Sequence, residues 1–204
     1  MNQLAPTKAN LIKSKNMLEF SIKGFQLLDK KRNVLIREMM NLVSRAEKIQ
    51  EDIDKMFSET YSVLINANIT LGSSTVEEIA ISIPKDENIE VLSKSIMGVE
   101  IPLLKYSDKP KGVSYGFFRT NAALDMAVAK MNELQLLIYE LAEVENSVFR
   151  LAMEVKKTGK RANALDKIQI PKYRELTKYI EEVLEEKERE DFFRLKKVKD
   201  KTKR

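Results

Sequence analysis

The chain has 204 residues, 43% hydrophobic and 33% charged, with no Trp, no Cys and no His. Those absences exclude disulfides, cysteine or histidine nucleophiles, histidine acid–base catalysis and the usual zinc sites. The net charge of +5 sits in the tail: Arg194 to Arg204 hold seven basic residues and one acidic, so the remainder sums to −1. With no net positive charge in the body, phosphate contacts, which need a basic face, are not suggested there and only the tail could make them; no nucleic-acid partner is expected.

The opening residues Met1 to Lys8 show no basic-then-apolar signal pattern, and no run approaches 18 apolar residues. No direct membrane span is expected, and the expected location is cytoplasmic. Pro6 and Thr7 are helix-start signals, because Pro is tolerated in a first turn and Thr caps one. From there to about Asn66 the chain predicts one amphipathic helix, about 90 Å long at 1.5 Å per residue. Its a positions are Leu11, Leu18, Phe25, Arg32, Met39, Ala46, Ile53 and Thr60. Its d positions are Ser14, Ser21, Leu28, Leu35, Leu42, Ile49, Met56 and Val63. This is a coiled-coil seam, and a seam requires a partner helix. Ile22, Ile36 and Val43 widen the stripe on one side. Gly24 is either a tolerated surface glycine or a place where another backbone comes close.

Residues 67–120 carry four of the six glycines and three of the five prolines. Thr75 and Glu78 have capping-box spacing ahead of a short apolar run ending at Pro84, which predicts a short helix. Ile89 to Val91 and Val99 to Leu103 alternate with period two around a turn near Lys94 to Gly98, which predicts a small antiparallel hairpin. Lys109 to Gly112 reads as loop. Tyr115, Phe117 and Phe118 form an aromatic cluster whose expected role is packing the hairpin onto the helices, with partner docking as the minority reading.

A second long helix is expected to begin near Thr120 or Asn121. Its seam runs Ala127, Leu134, Leu137, Leu141, Val144, Val148, Leu151 and Val155, widened by Leu124, Met131 and Ile138. The rhythm reaches Ala162 and Leu165 and then changes. The next strong apolar position of the pattern is Leu176, eleven residues on, followed by Ile180 and Val183. Pro171 lies in that window and is expected to kink or straighten the coil. Beyond Val183 the acidic run Glu185 to Asp191 and the basic tail predict a solvated helical end.

Folded back on itself, the first helix finds its partner in the second. The pairing predicted from the loop position sets Leu11 near Leu176, Gly24 opposite Asn163, Leu35 near Ala152 and Leu42 near Glu145. That favours the close-approach reading of Gly24. The fold class is thus mainly α: a long antiparallel two-helix coiled coil with a small β-hairpin and short-helix insertion at the hairpin end. The organisation is residues 1–66, 67–120 and 121–204, the last with a projecting basic end.

No nucleotide-binding glycine loop is present. The adjacent carboxylates Glu51/Asp52, Glu77/Glu78 and Glu185/Glu186 sit on helix surfaces, where neighbours in sequence do not face each other. An enzyme is the least expected class, and no cofactor is expected.

Several stretches resemble the D subunits of the V-type and A-type rotary ATPases. They are Pro6-Thr-Lys-Ala-Asn-Leu11, Gly24-Phe-Gln-Leu-Leu-Asp-Lys-Lys-Arg32, Ser95-Ile-Met-Gly-Val-Glu-Ile-Pro102, Lys160-Arg-Ala-Asn-Ala-Leu165 with Ile170-Pro171, and Glu185-Glu-Lys-Glu-Arg189 with Arg194-Leu-Lys196. They lie in the family's order over nearly the whole chain. The segment before Asn163 departs, reading Lys-Arg-Ala where the family usually has Arg-Arg-Val. The resemblance implies a non-catalytic central-stalk rotor shaft in an ATP-driven proton or sodium pump or ATP synthase, peripheral to the membrane. It implies as partners the F subunit of the stalk, the catalytic and non-catalytic ring subunits, and a socket subunit joining the membrane rotor. On this reading Lys8, Lys13, Lys160, Arg161 and Asn163 face the ring, and Tyr115, Phe117 and Phe118 meet the stalk or socket partner. The alternative from the bare pattern is a coiled-coil scaffold or prefoldin-like holdase.

Overall fold

A computed structural model of the chain describes residues 5–83, 89–106 and 114–202. The elements run α1 (Lys8–Leu71), α2 (Ser73–Ser82), β1 (Ile89–Ile96), β2 (Val99–Tyr106), a 3-10 turn (Phe117–Arg119), α3 (Ala122–Ala164), a π-turn (Leu165–Gln169) and α4 (Ile170–Thr202). The long helices pack antiparallel, as expected, with the small hairpin between them in sequence. Two compact units are present: residues 35–154, and residues 1–34 with 155–204. Pro84 and the expected loop at Lys109 to Gly112 lie outside the described residues.

Helix α1 starts where the sequence marks it. Thr7 Oγ1 accepts a hydrogen bond from the Asn10 amide at 3.3 Å, and the Thr7 carbonyl accepts one from Leu11 at 2.9 Å. This satisfies amides that have no partner within the first turn. The helix runs five residues past the expected Asn66. Gly72 ends it, with its amide bonded to the Asn68 carbonyl at 3.0 Å and a φ of +85° that side-chain-bearing residues rarely adopt. Every a and d position from Leu11 to Val63 is buried or half-buried, and so are Ile22, Ile36 and Val43. The widened stripe is therefore covered within the chain.

In residues 35–154 the seam is built of large aliphatics. Leu35 and Leu151 have no exposed surface, and Leu134, Val144, Leu124 and Ala127 are buried with them. Burying each large side chain stabilises by about 1.5–3 kcal/mol. The antiparallel register is fixed by Arg45 pairing with Glu140, Lys130 with Glu59 at 3.9 Å, and Asn121 Nδ2 donating to Thr70 Oγ1 at 2.8 Å. The pairing direction is as expected; Arg45 meets Glu140 two residues beyond the expected place. Asn121 also caps α3, its Oδ1 accepting from the Leu124 amide at 3.0 Å. Met131 and Ile138 are exposed, so of the three residues expected to widen this seam only Leu124 is buried.

Helix α2 begins at Ser73 with Gly72 as its cap and no side-chain cap bond. The expected Thr75–Glu78 capping box is therefore not formed, because Thr75 already lies inside the helix. The hairpin is longer than expected, pairing Ile89 with Tyr106 through Ile96 with Val99. Its turn is Met97-Gly98, both with positive φ (51° and 79°), the two-residue form that matches strand twist. Strand β2 faces α3: Ile101 is buried, the Leu104 amide donates to the Glu143 carboxylate at 2.7 Å, and Arg150 Nη1 donates to the Glu100 carbonyl at 3.0 Å. Strand β1 is the outer strand. Val91 and Leu103 are exposed, because a two-stranded ribbon covers only the side that meets a helix.

In residues 1–34 and 155–204 the seam is different in kind. Its buried members include Ser14, Ser21, Thr158, Ala162 and Thr177 alongside Ile170 and Ile180. The serine hydroxyls donate to carbonyls of their own helix, Ser14 to Leu11 at 3.0 Å and Ser21 to Met17 at 2.8 Å, so their burial leaves no donor unpaired. Thr177 Oγ1 donates to its own Tyr173 carbonyl at 2.7 Å and lies 3.3 Å from Ser14 Oγ across the seam. Gly24 faces Leu165, whose Cδ1 would lie 3.5 Å from an added Cβ. The neighbour is thus a side chain two residues beyond the expected Asn163, and the close-approach reading is replaced by a leucine filling the space beside a glycine.

Pro171 does not end the helix. Just before it, Leu165–Gln169 form a π-turn, with the Ile170 amide donating to the Leu165 carbonyl. This adds one residue to the count. After Thr158, Ala162 and Leu165, an uninterrupted α-helix would present Gln169, Lys172, Leu176 and Tyr179. Instead Ile170, Thr177 and Ile180 are buried, with Tyr173 half-buried between them. The widened turn also spares the proline ring the carbonyl four residues back. Beyond Leu184 every described residue is exposed, in keeping with the expected projecting end.

Candidate functional site

The first candidate surface is basic. Residues 23–32 and 156–167 lie level, since Gly24 meets Leu165 and a Cβ on Gly159 would meet Arg32 Cδ at 3.9 Å. Together they hold nine cations and two carboxylates. Lys160, Arg161 and the polar Asn163 are exposed on it, and Lys160 and Arg161 make no ion pair among the described residues. Lys23 and Arg32 are tied to Glu19 and Asp29 of their own helix at 2.6 Å each. Sequence reasoning singled out Lys160 and Arg161 but missed Lys23, Lys30, Lys31, Lys156 and Lys167. The signal that finds them is the antiparallel register, which brings two separate lysine clusters to one level.

Lys8 and Lys13 are not part of that collar. Lys8 pairs with Glu188 at 2.8 Å, and the nearby Lys15 pairs with Glu181. Lys8 and Lys13 are roughly 15–23 Å along α1 from Lys23, the near edge of that surface, at 1.5 Å per residue. The five candidate ring-facing residues are therefore split into two groups. Lys13 is exposed without an ion pair among the described residues, whereas Lys8 already has a carboxylate. The Lys8 ammonium is held above its ordinary value by its hydrogen bond and charge interaction with Glu188, and Glu188 is held below its own by the same contact.

The aromatic cluster is also split. The 3-10 turn leaves Phe117 exposed and Phe118 at 99% exposure, so neither packs the hairpin onto the helices. Tyr115 is half-buried and donates to Asp125 in the first turn of α3 at 2.7 Å. Burial, followed by the hydrogen bond and charge of Asp125, pushes its phenol up to about 12. A third feature was not read from the sequence. An apolar groove of about 720 Å³ lies among the end of α1, α2 and the start of α3, lined by Leu64, Val76, Ile79, Leu124 and Ala127 among others.

Among the described residues there is no group of three or more carboxylates placed to hold a metal ion. No described helix is long and apolar enough to cross a membrane. What the arrangement offers is contact: a cationic collar, two bare phenylalanines and an apolar groove on stiff helices.

Comparison with known proteins places these surfaces in a family. The family model that describes the ATP synthase D subunit matches residues 10–200. The chain is 43% identical to the V-type ATP synthase D subunit of Thermotoga neapolitana over 201 residues, covering 98% of this chain and 99% of that protein. It is 38% identical to the A-type ATP synthase D subunit of Pyrococcus furiosus over 200 residues, 97% of this chain and 94% of that protein. It is likewise 38% identical to the A-type ATP synthase D subunit of Methanopyrus kandleri over 202 residues, 98% of this chain and 87% of that protein. A match that runs through both long helices and the hairpin makes this chain a member of the family of V-type and A-type ATP synthase D subunits.

Proposed function

We propose that the chain is the central-stalk rotor shaft of a V/A-type ATPase or ATP synthase. It carries torque between the nucleotide-hydrolysing ring and the membrane ion rotor, and has no catalytic activity of its own. The observation that carries this reading is the family match over residues 10–200, which takes in the whole antiparallel helix pair. A coiled coil whose every a and d position is covered within the chain suits a stiff transmission element. Its partners on this reading are the F subunit of the stalk, the catalytic and non-catalytic ring subunits, and the socket subunit above the membrane rotor. Its place is the cytoplasmic side, peripheral to the membrane.

The cationic collar with Lys160, Arg161 and Asn163, together with Lys13 and Lys8, supplies the ring-facing charge. Phe117 and Phe118, positioned by the Tyr115–Asp125 bond, meet the stalk or socket partner. The test is co-purification of the tagged full-length chain from its native membranes. The expected result is a small F-like subunit and a hexameric ATPase assembly in stoichiometric amounts. Recovery of the chain alone, or with unfolded clients as a holdase would give, overturns the proposal.

A further inference from the structure

The π-turn at Leu165–Gln169 sets which face of α4 meets α1. Its extra residue places Ile170, Thr177 and Ile180 in the seam. The stripe one residue behind is also largely apolar: Leu176, Tyr179 and Val183. Were the π-turn to close into an α-turn, each residue of α4 would take the place of its successor. The helix would turn by about 100° about its own axis and move by about 1.5 Å. Leu176 would then face Ser14, and Tyr179 and Val183 would replace Ile180 and Leu184.

Two features of the seam permit this exchange. The α1 side offers Ser14, Ser21 and Gly24, small residues that accept knobs of several shapes. The hydroxyls of Ser14, Ser21 and Thr177 each bond a carbonyl of their own helix, so the exchange gives up only the 3.3 Å contact of Thr177 Oγ1 with Ser14 Oγ. Two features oppose it. Gln169 and Lys172 would enter the places of Ile170 and Tyr173. In an α-turn the Pro171 ring would also meet the Lys167 carbonyl.

We propose that the π-turn is a rotational switch: α4 pairs with α1 in two settings one residue apart, with the present setting dominant and Pro171 holding the balance. The second setting releases torsion in the helix pair without separating it. The switch is a property of the helix pair and stands whether or not the chain carries torque.

The chain has no cysteine, so introduced pairs report without background. Ser14→Cys is combined with either Thr177→Cys or Leu176→Cys in the full-length chain within the assembled complex. After mild oxidation, disulfide-linked peptides are mapped by mass. The 14–177 bond is expected to dominate and the 14–176 bond to form slowly. Pro171→Ala is expected to raise the ratio of 14–176 to 14–177 by roughly tenfold, because the ring–carbonyl clash that disfavours the α-turn is gone. Deleting Asp166 as well removes the extra residue, so an unbroken α-helix again presents position 177, and only the 14–177 bond should form. Far-UV dichroism checks that helix content is kept. Absence of a 14–176 bond in both the native and Pro171→Ala backgrounds overturns the switch, and so does a ratio that Pro171→Ala leaves unchanged. Persistence of the 14–176 bond in the deletion variant also overturns it.

Discussion

Leu35 shows what a single seam position contributes. It has no exposed surface and is one of the largest fully buried side chains. Leu35→Ala is expected to lower unfolding stability by about 2–5 kcal/mol, the transfer term plus the cavity left behind. Urea denaturation measures it, and a loss below about 1 kcal/mol would mean the seam collapses around the gap. Tyr115 gives a pH dependence. Its folded pKa is raised from 10.0 to about 12, so between those values the unfolded chain loses a proton that the folded chain retains. Its contribution is complete below pH 10 and falls away as pH rises toward 12. Tyr115→Phe should flatten that part of the alkaline decline, seen as urea midpoints that converge with the parent's as pH rises. Parallel curves would show that Asp125 does not hold the phenol. At this scale the seam residues were legible because burial follows heptad count. The aromatic run was not. The 3-10 turn leaves Phe117 and Phe118 both exposed, while Tyr115, two residues earlier, finds a carboxylate ten residues away that no local pattern reveals.

At the scale of elements, the hairpin turn is the clearest lever. Met97 adopts a φ of 51°, a left-handed conformation that costs a side-chain-bearing residue about 1–2 kcal/mol, while Asn enters it more readily. Met97→Asn should raise hairpin protection by about 1 kcal/mol, read as slower amide exchange across β1 and β2. Unchanged exchange would mean that contacts to α3, such as Leu104 with Glu143, set the hairpin's stability instead. Helix starts at Thr7 and Asn121 could be read because their side chains do the capping. The start of α2 could not, because Gly72 caps it through backbone conformation alone. The irregularity after Leu165 was visible as an eleven-residue gap in the apolar pattern, yet its form was hidden. Thr177 takes a seam place that a count of apolar residues passes over, and a π-turn leaves no composition of its own. Proline signalled trouble there without saying that one extra residue would absorb it.

At the scale of the whole molecule, antiparallel pairing and its direction followed from the two seams. The register missed by a few residues, since loop length sets where a hairpin turns only to within about a helical turn. The collar is where that error mattered, because aligning Lys23 to Arg32 with Lys156 to Lys167 requires the true register. Replacing Lys160 and Arg161 by Gln in the assembled complex is expected to slow coupled ATP hydrolysis a few-fold, as loss of charge complementarity slows productive engagement. Fold and helix content should be unchanged, since both side chains are exposed. Full activity in that variant would remove these two residues from the ring-facing role and leave the rest of the collar to be tested in turn.

The small, hydroxyl-rich seam near the ends of the chain has a consequence for synthesis. Residues 35–154 contain both partners of their own seam and are complete once the chain has reached α3. The stretch from Lys8 to Val34 has to wait for residues up to Glu188, its last cross-helix tie. At the usual elongation rate of about 5–20 residues per second, that wait is on the order of ten to thirty seconds. For that time a helical stripe stands without its partner beside a crowded ribosome. That stripe mixes Leu11, Leu18, Phe25 and Leu28 with Ser14, Ser21 and Gly24, so it offers wrong partners fewer large apolar side chains than an unbroken run of leucines would. The seam with more small residues thus belongs to a stretch that is synthesised long before its partner.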